Sequence, residues 1–149
     1  MRITVDTAIL IRAHAGANGP AKELLQVIQE LGLRLVLSAY ILAEVDRVLR
    51  YPRMQALYRM TDGDIWRYLR LLESIGDTVD LMEGPPIVLK DPNDDPVIYT
   101  ALSGNADILC TVDKHFYEPN VLSFCARYRI RIMTDVELLQ FLRKFAPAS

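Results

Sequence analysis

The chain has 149 residues and a mass of 16.9 kDa, which predicts a single domain over residues 1–149 with a sizeable buried core. Its formal net charge of −2 excludes nucleic-acid binding through overall charge, so any such binding needs a local basic surface. Two cysteines in apolar stretches indicate buried thiols in a reducing compartment. The sequence shows neither a signal-peptide pattern nor an apolar run of the ~18 residues that span a membrane, so we expect a cytoplasmic protein.

Strand and helix patterns alternate along the chain, which predicts an α/β domain with a mainly parallel sheet. Short apolar runs without alternation are typical of strands that helices cover on both faces. The five predicted strands are residues 2–5, 33–37, 78–81, 107–111 and 129–133.

Capping residues indicate where the predicted helices begin and end. Ser38 is expected to cap a helix that runs to about Arg50, and Thr134 with Glu137 matches a capping box. Further helices are predicted after Gly19, over residues 53–60 and after Thr61, the last with Gly76 as its stop signal. Residues 82–93 are rich in glycine and proline and are predicted to form a loop.

Acidic residues stand where predicted strands end or helices begin. They are Asp6, Glu44, the pair Asp94 and Asp95, and Asp113. Ligands of open α/β sheets bind outside the carboxyl ends of the strands, so these acids form one site if their segments converge. Two like charges about 4 Å apart repel by roughly 4 kcal/mol at an effective dielectric constant of 20. Such a site requires a cation, and oxygen ligands favour Mg²⁺ or Mn²⁺.

Each acid also has a purely structural interpretation. Asp6 fits the capping position of the helix that follows it, and Asp113 fits the start of a turn with Lys114. Glu44 fits a surface pair with Arg47 or Arg50 on the same helix.

The pair before Pro96 leaves a choice open. Proline favours the first helical position, so Asp95 is expected to be the N-cap of the next helix. That leaves Asp94 or Asp91 as the free carboxylate, and the spacing does not choose between them.

Four segments together resemble the PIN domain, the metal-dependent ribonuclease fold that includes the VapC-type toxins of bacterial and archaeal toxin–antitoxin pairs. They are DTAILI at 6–11, LSAYILAEV at 37–45, DPNDDPVIYTAL at 91–102 and ADILCTVD at 106–113. In the third segment the family's acid falls on Asp94. The likeness covers nearly the whole chain, and the order and spacing of the motifs are more specific than any one motif.

The resemblance implies a three-layer α/β/α domain that hydrolyses RNA with Mg²⁺ or Mn²⁺ and leaves a 5′-phosphate. The expected catalytic and metal-binding residues are Asp6, Glu44, Asp94 and Asp113. We expect Asp6 and Asp94 to ligate the metal directly. The other two are expected to act through water or to orient the nucleophile.

Hydroxyl and guanidinium groups near these acids are the expected substrate-binding residues: Thr7, Ser38, Thr111, Arg47 and Arg50. Thr111 is also expected to steady Asp113. The two arginines fit equally well a solvated helix face, since Asp46 and Arg50 form an i,i+4 pair.

Three positions depart from the family pattern. Ala8 and Asp95 stand where asparagine is usual, and His115 stands where a second acid often follows Asp113. These departures leave open a catalytically weak or inactive PIN-like module that binds RNA or protein. PIN chemistry does not require a histidine, so we interpret His115 as a loop residue.

Two protein partners are also expected. The resemblance implies a small antitoxin protein. The aromatic and methionine-rich stretch from Tyr51 to Trp66 is typical of an interface core, which predicts a homodimer, although these residues also fit a cap on the domain's own core.

Overall fold

A computed structural model of the chain describes residues 1–14, 16–88 and 90–145. Within these residues the strands are β1 (Arg2–Val5), β2 (Arg34–Ser38), β3 (Gly76–Val79), β4 (Ile108–Cys110) and β5 (Arg131–Met133). The helices are α1 (Thr7–Arg12), α2 (Pro20–Glu30), α3 (Ala39–Leu49), α4 (Pro52–Tyr58), α5 (Asp62–Ser74), α6 (Asp95–Ser103), α7 (Pro119–Arg127) and α8 (Asp135–Arg143). Single turns of 3₁₀ helix lie at Pro92–Asp94 and Lys114–Tyr117.

The strands form one parallel sheet in the order β3-β2-β1-β4-β5. Ile3 in the central strand pairs with Leu35 on one side and Ile108 on the other. The chain moves outward from β1 in one direction through β2 and β3, and in the other through β4 and β5. The strand order therefore reverses between β1 and β4, and ligands of such sheets bind beyond the strand ends at this switch point.

Helices cover both faces of the sheet. Because parallel crossovers are right-handed, connections that run in opposite directions along the sheet place their helices on opposite faces. On one face α2 packs against α8 and α1 against α3, whereas α6 packs on the central strands from the other connection. The predicted α/β class and its three-layer, mainly parallel arrangement are confirmed.

The ends of the strands differ from the prediction by small shifts. β1 has the predicted ends, whereas β3 begins at Gly76 instead of residue 78. Helix α5 ends at Ser74, next to the predicted stop signal Gly76, and Gly76 is also required for close packing. A Cβ atom at this position would lie 2.8 Å from Leu37 Cδ1 and 2.9 Å from the carbonyl oxygen of Leu35.

The predicted helix caps are present. The hydroxyl of Ser38 accepts from the Ile41 backbone N–H, and Thr61 and Thr134 each form a capping box. Helix α7, which begins with Pro119 after Glu118, was not predicted. Within the described residues, no helix is both long and apolar enough to cross a membrane.

Candidate metal and catalytic centre

Asp6 lies where β1 ends, beside the end of β4. Its backbone N–H donates to the carbonyl of Cys110 at 2.9 Å, which extends the pairing of the two strands. The residue is only 8% exposed, and its Oδ2 accepts a hydrogen bond of 2.7 Å from the hydroxyl of Thr111. Asp6 is thus a buried carboxylate held at the switch point of the sheet.

Asp113 is tied to the same threonine. Its backbone N–H donates to the Thr111 hydroxyl at 3.1 Å, and its own Oδ1 accepts from the His115 backbone N–H at 2.9 Å. One hydroxyl therefore donates to Asp6 and accepts from Asp113. Thr111 steadies Asp113 as expected and also orients Asp6.

Asp94 reaches this centre from the turn before α6. The turn is closed by the Asp94 N–H, which donates to the carbonyl of Asp91 at 3.0 Å. Asp94 stands in the N-cap position of α6, yet its carboxylate makes no capping bond there. Oδ2 of Asp94 is buried and has no hydrogen-bond partner among the described residues. The carboxylate is therefore available to a ligand.

The electrostatics show that these acids act on one another. Burial raises the pKa of Asp94 to about 7, and the charges of Asp91, Asp113 and Asp6 add to this increase. Burial also raises the pKa of Asp6, with a smaller contribution from Asp113, against the opposing effect of the Thr111 hydrogen bond. Perturbed carboxylates of this kind cluster at functional sites, and a bound cation would offset their repulsion.

Glu44 lies on the same side of the molecule, but in a different environment. Its carboxylate pairs with Arg47, whose Nη2 lies 2.7 Å from both oxygens. The side chain of Tyr40 lies near both Glu44 and Asp94. Burial raises the pKa of Tyr40, and the charges of Glu44 and Asp94 contribute next. The Tyr40 hydroxyl donates to the Asn93 carbonyl at 3.0 Å. This bond holds the turn that contains Asp94 against α3, the helix that contains Tyr40.

A histidine lies beside the acids. Among the described residues, one group of three metal-binding side chains has its donor atoms within 4.8 Å of one another: Asp91, Asp94 and His115. His115 lies in the 3₁₀ turn Lys114–Tyr117, whose N-cap is Asp113. The spacing in the sequence placed His115 two residues after Asp113 but did not show which way its ring points.

Asp95 has a role that the sequence did not reveal. The prediction that it caps α6 is wrong, because Asp95 is the first residue of the helix. Its Oδ1 accepts hydrogen bonds from the backbone N–H groups of Ile87, at 3.2 Å, and Val88, at 2.7 Å. Asp95 thereby anchors the loop that precedes the turn, and Asp94 is left free.

The predicted hydroxyl contacts are placed differently from one another. Ser38 is 1% exposed, and its oxygen accepts from Ile41 N–H at 3.3 Å and from the Thr100 hydroxyl at 2.8 Å. This burial gives no support to the prediction that Ser38 binds a phosphate. Thr7 is half-buried in the first turn of α1, where its backbone N–H binds the Asp6 carboxylate.

The two predicted RNA-binding arginines are both paired with acids. Arg47 binds Glu44 and contacts the hydroxyl of Tyr51, and Arg50 binds Asp46 at 3.1 Å and also contacts Asp62. Both arginines are exposed, and exposed pairs contribute little to stability, whereas Glu44 is partly covered, with 26% of its side chain accessible. The role of both arginines in RNA binding stays a prediction.

A cavity of about 450 Å³ lies apart from the clustered acids. Its lining is largely apolar and comes from the end of α1 and from α4 and α5, with His14, Tyr58, Met60 and Tyr68 among its residues. His14 is 3% exposed, accepts from the Gly16 N–H at 3.0 Å and packs edge-on against Tyr58. The lining supplies few oxygen ligands, so this cavity is not the metal centre.

The chain matches a family model described as PIN domain over residues 2–115. It therefore belongs to the PIN domain family, whose members are in general nucleases that use a divalent metal ion. The matched region contains Asp6, Glu44, Asp94 and Asp113, and β5, α7 and α8 follow it. No curated protein matches the chain.

Proposed function

We propose that the protein is an endoribonuclease that hydrolyses phosphodiester bonds with Mg²⁺ or Mn²⁺. The observation that carries this proposal is the meeting of three carboxylates at the switch point of the sheet. Asp6 arrives from β1, Asp113 from β4 and Asp94 from the turn before α6. Burial is the main cause of the raised pKa of Asp94, and repulsion from the neighbouring carboxylates adds to it; both effects favour a bound cation.

The residues present fit such an ion. Asp94 and Asp6 would hold it, because the Asp6 side chain is buried and Oδ2 of the half-buried Asp94 lacks a partner among the described residues. Carboxylate oxygens are the ligands that Mg²⁺ and Mn²⁺ accept. When bound, the ion supplies charge neutralisation at the scissile phosphate and activation of water.

The chain's own residues would position the reactants. The Thr111 hydroxyl keeps Asp6 oriented, and the His115 backbone N–H keeps Asp113 oriented. Asp113 would accept the proton of the attacking water. The water oxygen would then form a bond to phosphorus as the bond to the 3′-oxygen breaks. The 3′-oxygen would take up a proton from solvent, so the products are a 5′-phosphate and a 3′-hydroxyl. Glu44, released from Arg47 when a phosphate engages that arginine, would orient the water from the side of Tyr40.

Cleavage of a labelled RNA pool tests this proposal. Wild-type protein should cleave RNA in the presence of Mg²⁺ or Mn²⁺ and stop on addition of EDTA, and Asp94→Asn should lose at least ~100-fold in rate. Glu30→Gln is the matched control, because Glu30 is an exposed carboxylate that precedes β2 at the opposite edge of the sheet. RNA that is bound but not cut by the wild type would instead support the inactive RNA-binding module.

We further propose that the protein is the toxin of a toxin–antitoxin pair. The likeness of the four acidic motifs to VapC-type proteins supports this role. The test begins with a search for a small open reading frame beside the gene. The product of that reading frame, co-expressed with this chain, should form a complex with it and relieve growth arrest. Growth that is unaffected by expression of the active nuclease alone would contradict the role.

A homodimer is proposed for the surface formed by α4 and the start of α5. Large apolar side chains are exposed there, with Leu57 at 65% and Trp66 at 60%. Met54, Tyr58 and Met60 of the same stretch pack partly against the domain's own core. The stretch therefore divides its apolar side chains between the core and the surface, and the exposed part supports the dimer.

A further inference from the structure

Two carboxylates and one imidazole come together beside the acidic centre. One donor atom from each of Asp91, Asp94 and His115 lies within 4.8 Å of the other two. Two ligands on opposite sides of a cation with bonds of ~2.1 Å are themselves about 4 Å apart. Small side-chain movements would therefore bring all three groups onto one ion.

Two of these groups carry buried polar atoms that lack partners. Within the described part of the chain, neither Oδ2 of Asp94 nor Nδ1 of His115 has a hydrogen-bond partner. The nearest oxygen of Asp113 is 3.7 Å from Nδ1, which is too long for a hydrogen bond. Buried polar atoms are nearly always paired, so each of these two atoms is open to a metal ion or a water molecule.

The backbones that carry these groups are held in place. Oδ1 of Asp91 accepts from the Asn93 N–H at 3.1 Å, and within the described residues its second oxygen accepts no hydrogen bond. The His115 backbone N–H donates to the Asp113 carboxylate at 2.9 Å, which fixes the turn that carries the imidazole ring. The three donors thus come from two turns with fixed backbones, which lowers the cost of ordering them around an ion.

We propose that Asp91, Asp94 and His115 hold a divalent cation with one nitrogen ligand, in a position that shares Asp94 with the proposed catalytic centre. This inference rests on the proposed metal-dependent function and adds a ligand that PIN chemistry does not require. Mg²⁺ prefers an all-oxygen set, whereas first-row transition ions accept imidazole. His115 therefore biases the position towards a transition ion such as Mn²⁺ over Mg²⁺.

Pulsed electron paramagnetic resonance with a substoichiometric amount of Mn²⁺ tests the nitrogen ligand directly. The chain has two histidines, and His14 is buried away from the acids, so a coupling to imidazole nitrogen identifies His115. We expect this coupling in the wild type and in Glu30→Gln, and its loss in His115→Gln. His115 is partly exposed, with 30% of its side chain accessible, so its substitution should leave the fold intact.

Calorimetric titration provides a second measurement. The ratio of Mn²⁺ to Mg²⁺ affinity should fall at least ~10-fold in His115→Asp, which restores an all-oxygen set. A wild type without nitrogen coupling, or a coupling that persists in His115→Gln, would overturn the inference. Mn²⁺ binding that Asp94→Asn abolishes, but that shows no nitrogen coupling, would overturn it and leave the proposed function standing. Absence of Mn²⁺ and Mg²⁺ binding in the wild type would contradict both.

Discussion

The hydroxyl of Thr111 donates to Oδ2 of Asp6 at 2.7 Å, and these two residues are 105 positions apart in the chain. The bond joins the ends of β1 and β4 across the switch point of the sheet. The same hydroxyl accepts from the Asp113 N–H at 3.1 Å. A single side chain therefore sets the relative positions of two of the proposed catalytic carboxylates.

Thr111→Val should disturb both carboxylates while it keeps the shape of the side chain. The loss of the donor leaves a buried carboxylate oxygen unpaired, which should cost about 1–3 kcal/mol of unfolding free energy. The hydrogen bond also lowers the pKa of Asp6, so its loss should raise that pKa and shift nuclease activity to higher pH. Urea unfolding and a pH–rate profile measure the two effects.

Thr111→Ser is the control for this substitution, because it retains the hydroxyl. It should keep the pH profile of the wild type. A valine variant with unchanged pH profile and stability would show that the Thr111–Asp6 bond has no energetic role.

The stability of the metal-free protein should depend on pH through Asp94. Its pKa is raised from 3.8 to about 7 in the folded state, chiefly by burial. Between these values the folded state holds a proton that the unfolded state releases, so the free energy of unfolding falls as pH rises. Asparagine does not titrate, so the free energy of unfolding of Asp94→Asn should not fall in this way. The variant should be more stable than the wild type above pH 7, and about equal to it near pH 4.

The difference at pH 8 should be about 2 kcal/mol, less than the whole shift would give, because the side chain is half-buried and partly solvated. Chemical unfolding of both proteins in EDTA at several pH values measures it. Saturating Mn²⁺ should stabilise the wild type and leave the variant unchanged. A variant that is less stable at every pH would mean that Asp94 is a structural residue.

Arg47→Ala should weaken RNA binding and reduce its dependence on salt. Each neutralised phosphate of a single strand contributes about −0.7 to the slope of log affinity against log salt, so the slope should flatten by less than one unit. Arg131 begins β5 at the opposite edge of the sheet, so Arg131→Ala is the matched control. Binding isotherms in EDTA at several salt concentrations give both slopes. Equal slopes for Arg47→Ala and the wild type would place the RNA surface elsewhere.

Trp66→Lys should convert the proposed homodimer into a monomer. The residue is exposed and contacts the guanidinium of Arg70, so a lysine there places two like charges in the proposed interface with little effect on the core. Sedimentation at tens of micromolar should give twice the 16.9 kDa chain mass for the wild type and the chain mass for the variant. A monomeric wild type under these conditions would exclude the dimer.

The sequence was sufficient to locate the sheet and the acids at its edge. Asp6 and Asp113 stand directly after apolar runs, and parallel strands carry their following residues to the same edge. The ends of β3 were not predictable in the same way. Gly76 resembles a helix stop signal, and the close approach of Leu35 and Leu37 that requires a glycine there is a tertiary contact.

The partners of the acids were less accessible from the sequence. Tyr40 lies on a helix among apolar residues, so the pattern did not indicate that its hydroxyl would reach Asn93. Asp95 fitted a helix cap, but it binds backbone N–H groups of a loop whose path only the folded chain determines. His115 likewise lies beside Asp91 and Asp94 because of the orientation of its side chain. The spacing of residues in the sequence does not predict that orientation.

Anomalous scattering from crystals soaked in Mn²⁺ would locate the metal centre. We expect a peak within bonding distance of the Asp94 carboxylate, with Asp6 or His115 as a further ligand. The same soak of Asp94→Asn crystals should remove that peak. A wild-type map with no peak at Asp94, or with Mn²⁺ bound only at surface carboxylates, would contradict the assignment of this edge of the sheet as the metal centre.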